Sequence, residues 1–269
     1  MSFSCCLNTS TIKTTPILEQ IRVTAAAGFE AIELWINDIY QYVGRGGEVR
    51  DIEKALSDHG LRVPCMIALR SWGEAVGPEY GLMLDEARRR MELAARLGAP
   101  TVVATPPRAA CPQNQLVQRF QDLLEIGREV GVRPTFEYIS FFESVSTLDQ
   151  AWEIVEQTGN AEATLIVDAF HTWNGRSSPH LLAELPVERI SHYHINDAHP
   201  AVLCGQQTDR DRVMLGDGPI DLAAEIQMLR KLGYQGMVSL ELFNTELWEQ
   251  DPLEVAQLGM ERLETLLQE

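Results

Sequence analysis

The chain is 269 residues long, 45% hydrophobic, with 39 acidic against 22 basic residues and a formal charge of −17. Its length and apolar content support a large core, while the acidic excess opposes nucleic acid as a partner, because Lys and Arg contacts to phosphate supply most of the affinity for a polyanion. The five cysteines are odd in number and lack a C-x-x-C spacing, which argues for a reducing, cytoplasmic setting, and no stretch approaches the ~18 apolar residues of a membrane span.

In chain order, apolar β-like runs at 3–8, 31–35, 62–68, 101–105, 133–138, 164–168, 190–195 and 237–242 are predicted strands. Helical periodicity marks 16–27, 49–59, 82–97, 114–130, 147–158, 222–232 and 252–267. Pro16 suits an early helical position, and Gly28, Gly60, Gly98, Gly131, Gly159 and Gly233 stand just past a last turn. Between the sixth and seventh strands the helix is weak, only 180–185 before Pro186, and a long loop occupies 197–221. Asn8-Thr9-Ser10 matches a glycosylation sequon, which without secretion carries no meaning. Eight β–α alternations with no linker predict one domain over 1–269, a single (β/α)₈ TIM barrel of the α/β class rather than an open doubly wound sheet.

A strand buried on both faces reads as a continuous apolar run, so an ionisable residue at its C-terminal tip has left the core. Glu137, Asp168, His194 and Glu241 stand at such tips on strands five to eight. Adjacent strands lie ~4.8 Å apart, so the four can converge on one ion. Three carboxylates and an imidazole suit one divalent metal, Mn²⁺, Mg²⁺, Co²⁺ or Zn²⁺, and clustering that much acid without a cation would be electrostatically costly. His171, three residues after Asp168, and Asp197, three after His194, are expected either to support the ligands from behind or to contact substrate. Glu33 is balanced between an ion pair inside the barrel and the pocket wall, and His192 is read as structural. No Gly-rich phosphate loop or Lys/Arg pair at a strand tip is evident, which favours an unphosphorylated sugar or polyol as the small-molecule partner.

Gly28-Phe29-Glu30-Ala31-Ile32-Glu33-Leu34-Trp35, Phe136-Glu137-Tyr138 and Val167-Asp168-Ala169-Phe170-His171 form the first part of a wider pattern. Tyr193-His194-Ile195-Asn196-Asp197, Asp211-Arg212-Val213, Gly216-Asp217-Gly218-Pro219-Ile220-Asp221 and Val238-Ser239-Leu240-Glu241-Leu242-Phe243 complete it. Together these motifs resemble the sugar phosphate isomerase/epimerase family of xylose isomerase-like TIM barrels, and within it the inosose (2-keto-myo-inositol) isomerase branch. The resemblance spans nearly the whole chain. It implies that Glu137, Asp168, His194 and Glu241 bind one divalent ion and that Glu137 and Glu241 double as the acid/base pair. The gap between His194 and Glu241, which contains Arg212, is longer than in the ketose 3-epimerases and favours the inosose-isomerase branch.

An α-hydroxy ketone bound through both oxygens is a stronger carbon acid, because the ion stabilises the developing enediolate, and two flanking carboxylates can take and return the proton. His171 and Arg212 are expected to hydrogen-bond substrate oxygens, and Trp35, Phe141 and Trp173 to shape an apolar wall. The rivals are a ketose 3-epimerase, a keto-inositol dehydratase, a non-catalytic sugar-binding barrel and an apurinic endonuclease. The last is disfavoured by the charge and by Ala68-Leu69 and Ala104-Thr105 where further histidines are expected. Membrane partners are not expected, and a second copy of the chain is an admissible one.

Overall fold

The computed structural model describes residues 3–177 and 181–268. Its strands are β1 (Ser4–Asn8), β2 (Ala31–Trp35), β3 (Cys65–Leu69), β4 (Thr101–Ala104), β5 (Arg133–Phe136), β6 (Thr164–Asp168), β7 (Ile190–Ile195), β8 (Asp197–Ala198), β9 (Arg212–Val213) and β10 (Met237–Leu240). Its helices are α1 (Ile17–Ala26), α2 (Ile36–Gly44), α3 (Val49–His59), α4 (Pro78–Arg96), α5 (Gln113–Val130), α6 (Leu148–Gln157), α7 (Ala169–Asn174), α8 (Leu181–Glu184), α9 (Leu222–Leu232) and α10 (Pro252–Gln268). Eight parallel strands close on themselves in the order β1-β10-β7-β6-β5-β4-β3-β2, so the predicted TIM barrel is the observed one. Among the described residues no helix is long and apolar enough to cross a membrane.

The strands are apolar on both sides because one face fills the barrel and the other carries the helices. Trp72, Phe120 and Phe136 show how the outer layer closes: their rings lie 5.1–6.3 Å apart, joining α5 to β5 and the loop after β3. α5 comes so close that a Cβ on Gly127 would sit 2.4 Å from the Val132 carbonyl oxygen, so glycine is a packing requirement there. α6 is started by a reciprocal cap, in which Thr147 Oγ1 accepts from the Gln150 amide and Gln150 Oε1 accepts from the Thr147 amide.

Three of the predicted strands, β4, β5 and β10, end earlier in the structure, and for the last two the difference matters. The ladders of β5 and β10 stop at Phe136 and Leu240, one residue before Glu137 and Glu241, so each glutamate begins the turn into the barrel mouth. β3 begins at Cys65 rather than at 62, since Pro64 has no amide for the ladder and Arg62 makes only an isolated bridge to Ala31. α2 and α7 were not expected. α7 starts directly on the tip of β6, where Asp168 Oδ1 accepts the His171 amide at 2.8 Å, with no Gly or Pro to announce it. The weak 180–185 segment is observed as α8, with His180 outside the described residues.

The long 197–221 loop folds back on itself through the antiparallel pair β8–β9. Asp197 is its organiser: its carboxylate accepts from the amides of Gly216, Gly218 and Ile220 at 2.9–3.1 Å. A Cβ on Gly218 would lie 2.1 Å from the Ala198 carbonyl oxygen and 2.3 Å from Asp197 Oδ1. Gly218→Ala should therefore cost about 1–3 kcal/mol in urea unfolding, the usual cost of overpacking. Gly44→Ala, whose Cβ would meet nothing within 4 Å, should be near neutral; equal midpoints for the two variants would refute this account.

Candidate active site

Strand register aligns the ionisable tips. Asp168 on β6 pairs with His194 on β7, which pairs with Ser239 on β10, two residues before Glu241. The Glu241 amide donates to the Ile195 carbonyl at 3.1 Å and the Glu137 amide to the Ala104 carbonyl at 3.3 Å, so both glutamates are held by the neighbouring strand. Asp168, His194 and Glu241 form a compact trio, each offering a donor atom within 4.8 Å of the others. Glu137 is outside that trio but lines the same small cavity, of about 90 Å³, with Trp35, His171, Arg212 and Glu241.

His194 tests whether a cation fits. Its Nε2 faces Glu33 at 3.2 Å, while its buried Nδ1 makes no hydrogen bond and looks at Glu241 Oε2 at 3.1 Å and Asp168 Oδ2 at 3.9 Å. An imidazole with one nitrogen tied to a carboxylate and the other free among carboxylate oxygens has the form of a metal ligand. Burial would lower its pKa, yet the Glu241 and Glu33 charges hold it well above the ordinary value. Glu33, wholly buried, is held at about 2: burial alone would raise it, and His194 outweighs that. Ser239 Oγ and Asn8 Nδ2 donate to Glu33 Oε2 as well, so Glu33 is a buried support for His194 rather than pocket wall. His192 lies beside Glu33 and Cys65 as a second compact donor group, whose carboxylate is thus already committed.

Arg212 reaches the trio from β9, with its guanidinium buried. Nη1 donates to Asp168 Oδ2 and Glu241 Oε2, both at 3.0 Å, and Nη2 to Asp209 Oδ1 at 3.0 Å and His171 Nε2 at 2.9 Å. Phe170 and Phe243 stack on it at 5.0 and 5.4 Å. A carboxylate has lone pairs for both a guanidinium and a cation, so these contacts are compatible with metal binding. An arginine only donates, so His171 Nε2 accepts from Arg212, while Nδ1 faces the Ser140 amide at 3.3 Å and lies 3.1 Å from Ser140 Oγ. Burial lowers His171 to about 4, in keeping with a neutral ring. For Asp168 burial pushes upward, but Arg212, His171 and His194 hold the carboxyl well below the usual range. Glu137 goes the other way: burial first, and the Glu241 charge second, push it up to about 8.

The structure brings Trp35, His171 and Arg212 to the cavity with the two glutamates. It corrects Asp197, whose carboxylate is wholly buried and used up on loop amides, leaving nothing for a substrate. It also corrects Trp173, which lines a separate apolar hollow with Leu182 and Met228, whereas Phe141 does stand at the mouth. Sequence reasoning missed Asn8 and Thr105. Asn8 Nδ2 donates to Glu241 Oε1 at 2.8 Å, and Thr105 Oγ1 to Glu137 Oε2 at 3.1 Å, so each orients one glutamate. Asn8 is the last residue of β1, and the strand-tip rule that found the glutamates would have found it had ionisable groups not been favoured over amides.

A closed eight-stranded barrel with an acid-rich donor set at its mouth defines an α/β barrel whose chemistry is built on strand tips. The family model described as xylose isomerase-like TIM barrel matches residues 21–266, and the chain belongs to that family. A 3-dehydroshikimate dehydratase of Pseudomonas aeruginosa is 30% identical over 84% of this chain, which spans only 36% of that protein's length. An inosose isomerase of Bacillus velezensis is 25% identical over 97% of this chain and 96% of its own. In fold, the chain is similar to a crystal structure of the IOLI protein with a bound zinc atom, with a TM-score of 0.92 and 24% identity over 98% of each chain.

Proposed function

We propose that this chain is an enzyme that transfers a proton at the carbon beside the ketone of a hydroxylated, sugar-like or polyol substrate, as an isomerase of the inosose type. The observation that carries the reading is the pairing of Glu137 and Glu241 across one cavity beside an unpartnered histidine nitrogen. Asp168, His194 and Glu241 would hold one divalent cation, with Glu137 as the fourth ligand or its neighbour. Bound there, the cation supplies Lewis acidity that makes the carbon beside the ketone easier to deprotonate. The zinc in the IOLI protein and the names of the relatives support this choice.

Glu241 is fixed on both oxygens, by Asn8 and by Arg212, and serves best as an orienting and proton-returning group. Glu137 Oε2 is held by Thr105, and its Oε1 has no hydrogen bond among the described residues, so Glu137 is the carboxylate free to meet a substrate proton. A pKa pushed up toward neutrality makes it a stronger base than an ordinary glutamate. Arg212, engaged with Asp168, Glu241, Asp209 and His171, holds the acids in place around the substrate, and Trp35 and Phe243, packed edge to face at 5.7 Å, shield the site from water. The free state of all five cysteines accords with a reducing cytoplasm.

A second reading is elimination of water from the same carbanion, favoured by the 30% identity to the dehydratase. Proton NMR in D₂O with Mn²⁺-loaded and chelated protein separates the readings, using 2-keto-myo-inositol, 3-dehydroshikimate and a ketose panel. Cation-dependent deuterium entry with carbonyl relocation is the expected result. Loss of a hydroxyl assigns a dehydratase, exchange without relocation an epimerase, and no exchange with any ketone rejects the proton-transfer reading.

A further inference from the structure

Most arginines of this acidic chain have a partner; Arg22, Arg62, Arg88, Arg96 and Arg128 each hold a glutamate. Arg70 and Arg108 differ. Among the described residues neither makes an ion pair or donates a side-chain hydrogen bond, and both are exposed. Each instead lies over an aromatic ring, Arg70 at 5.4 Å from Trp35 and Arg108 at 5.2 Å from Phe142. Stacking on a ring face settles the plane of a guanidinium and leaves its N–H edges free to donate.

Both arginines line one cavity of about 370 Å³ at the barrel mouth. Arg70 also lines the smaller space that holds Glu137, His171, Arg212 and Glu241, and Thr105, Ile139 and Asp209 are common to the two, so they are continuous. Of the acidic side chains in the larger wall, Asp209 is engaged by Arg212, and Glu74 makes no ion pair with either arginine. Arg70 directly follows β3, and Arg108 lies in the loop after β4, so this is the basic strand-tip pair that the linear sequence conceals.

Two unneutralised guanidinium groups in one wall repel each other and gain little from a neutral polyol, whereas an oxyanion between them relieves the repulsion and accepts charge-assisted hydrogen bonds. We propose that the substrate carries an anionic substituent, a carboxylate or a phosphate, received by Arg70 and Arg108 while its ketone end faces Glu137 and Glu241. This rests on the reading of that pair as the proton-transfer site. The substrate class narrows from neutral keto-polyols to hydroxylated keto acids or keto-sugar phosphates.

The test is binding rather than turnover, so it stays separate from the fate of the proton-transfer reading. Mn²⁺-loaded protein is titrated calorimetrically with shikimate and its methyl ester, and with glycerol 3-phosphate and glycerol. The anion of at least one pair should bind about tenfold or more tightly than its neutral counterpart, the size of a charge-assisted hydrogen bond. Whichever pair shows the advantage names the anion. The advantage should shrink in Arg70→Gln and Arg108→Gln and vanish in the double variant, with an unchanged unfolding midpoint showing that these exposed positions left the fold intact. No advantage in the wild type, or one that survives in the double variant, overturns the proposal.

Discussion

Glu137→Gln should abolish turnover, by about 10²–10⁴-fold in kcat, while leaving cation affinity within about tenfold of the wild type. Asp168, His194 and Glu241 already form a complete trio without Glu137, so the cation keeps most of its ligands. Glutamine fills the same volume and can still accept from Thr105, so the wall is unchanged and only the basic oxygen is lost. Glu241→Gln should lose comparable turnover but also weaken cation binding and loosen Arg212, which donates to Glu241 Oε2. Single-turnover deuterium exchange and Mn²⁺ titration on both variants check this. Retained exchange in both would remove the two glutamates from the chemistry altogether.

That contrast between Glu137 and Glu241 marks how far the sequence could be read. The barrel was legible because each strand is apolar over its full length and is followed by a helical period, a signal that depends only on neighbours along the chain. The strand-tip carboxylates were legible for the same reason, since a charge ending an apolar run has one sensible place to go. Their division of labour was not, because it comes from Asn8 and Thr105, which stand on other strands and reach the glutamates only after the barrel closes. Asp197 misled for the converse reason. Its spacing after His194 placed it near the mouth, but three amides of a loop some twenty residues downstream capture its carboxylate. α7 was hidden by Asp168 itself, which serves at once as strand end, helix cap and acid of the trio. Arg70 and Arg108 follow different strands and share one wall only once the barrel closes.

Adding Mn²⁺ or Zn²⁺ to chelated protein should raise its unfolding midpoint strongly, because the site gathers more negative charge than its own cations neutralise. Arg212 and His194 serve Glu33, Asp168, Asp209 and Glu241 together, and Glu137 is left over, its pKa pushed up by burial first and by the Glu241 charge second. A cation that binds only the folded chain stabilises it by RT ln(1 + [L]/Kd), about 4 kcal/mol at a thousandfold excess over Kd. The same cation should be required for deuterium exchange, so both readouts share one titration midpoint. Its ligands must be deprotonated, so the stabilisation should shrink as pH falls from 8 to 6. His194→Ala supplies the control: it removes the one unpartnered nitrogen of the trio, and the metal-induced shift should disappear with it. An equal shift in His194→Ala and wild type would place the cation elsewhere, while no shift in either would leave the carboxylates to be balanced by Arg212 and protons alone.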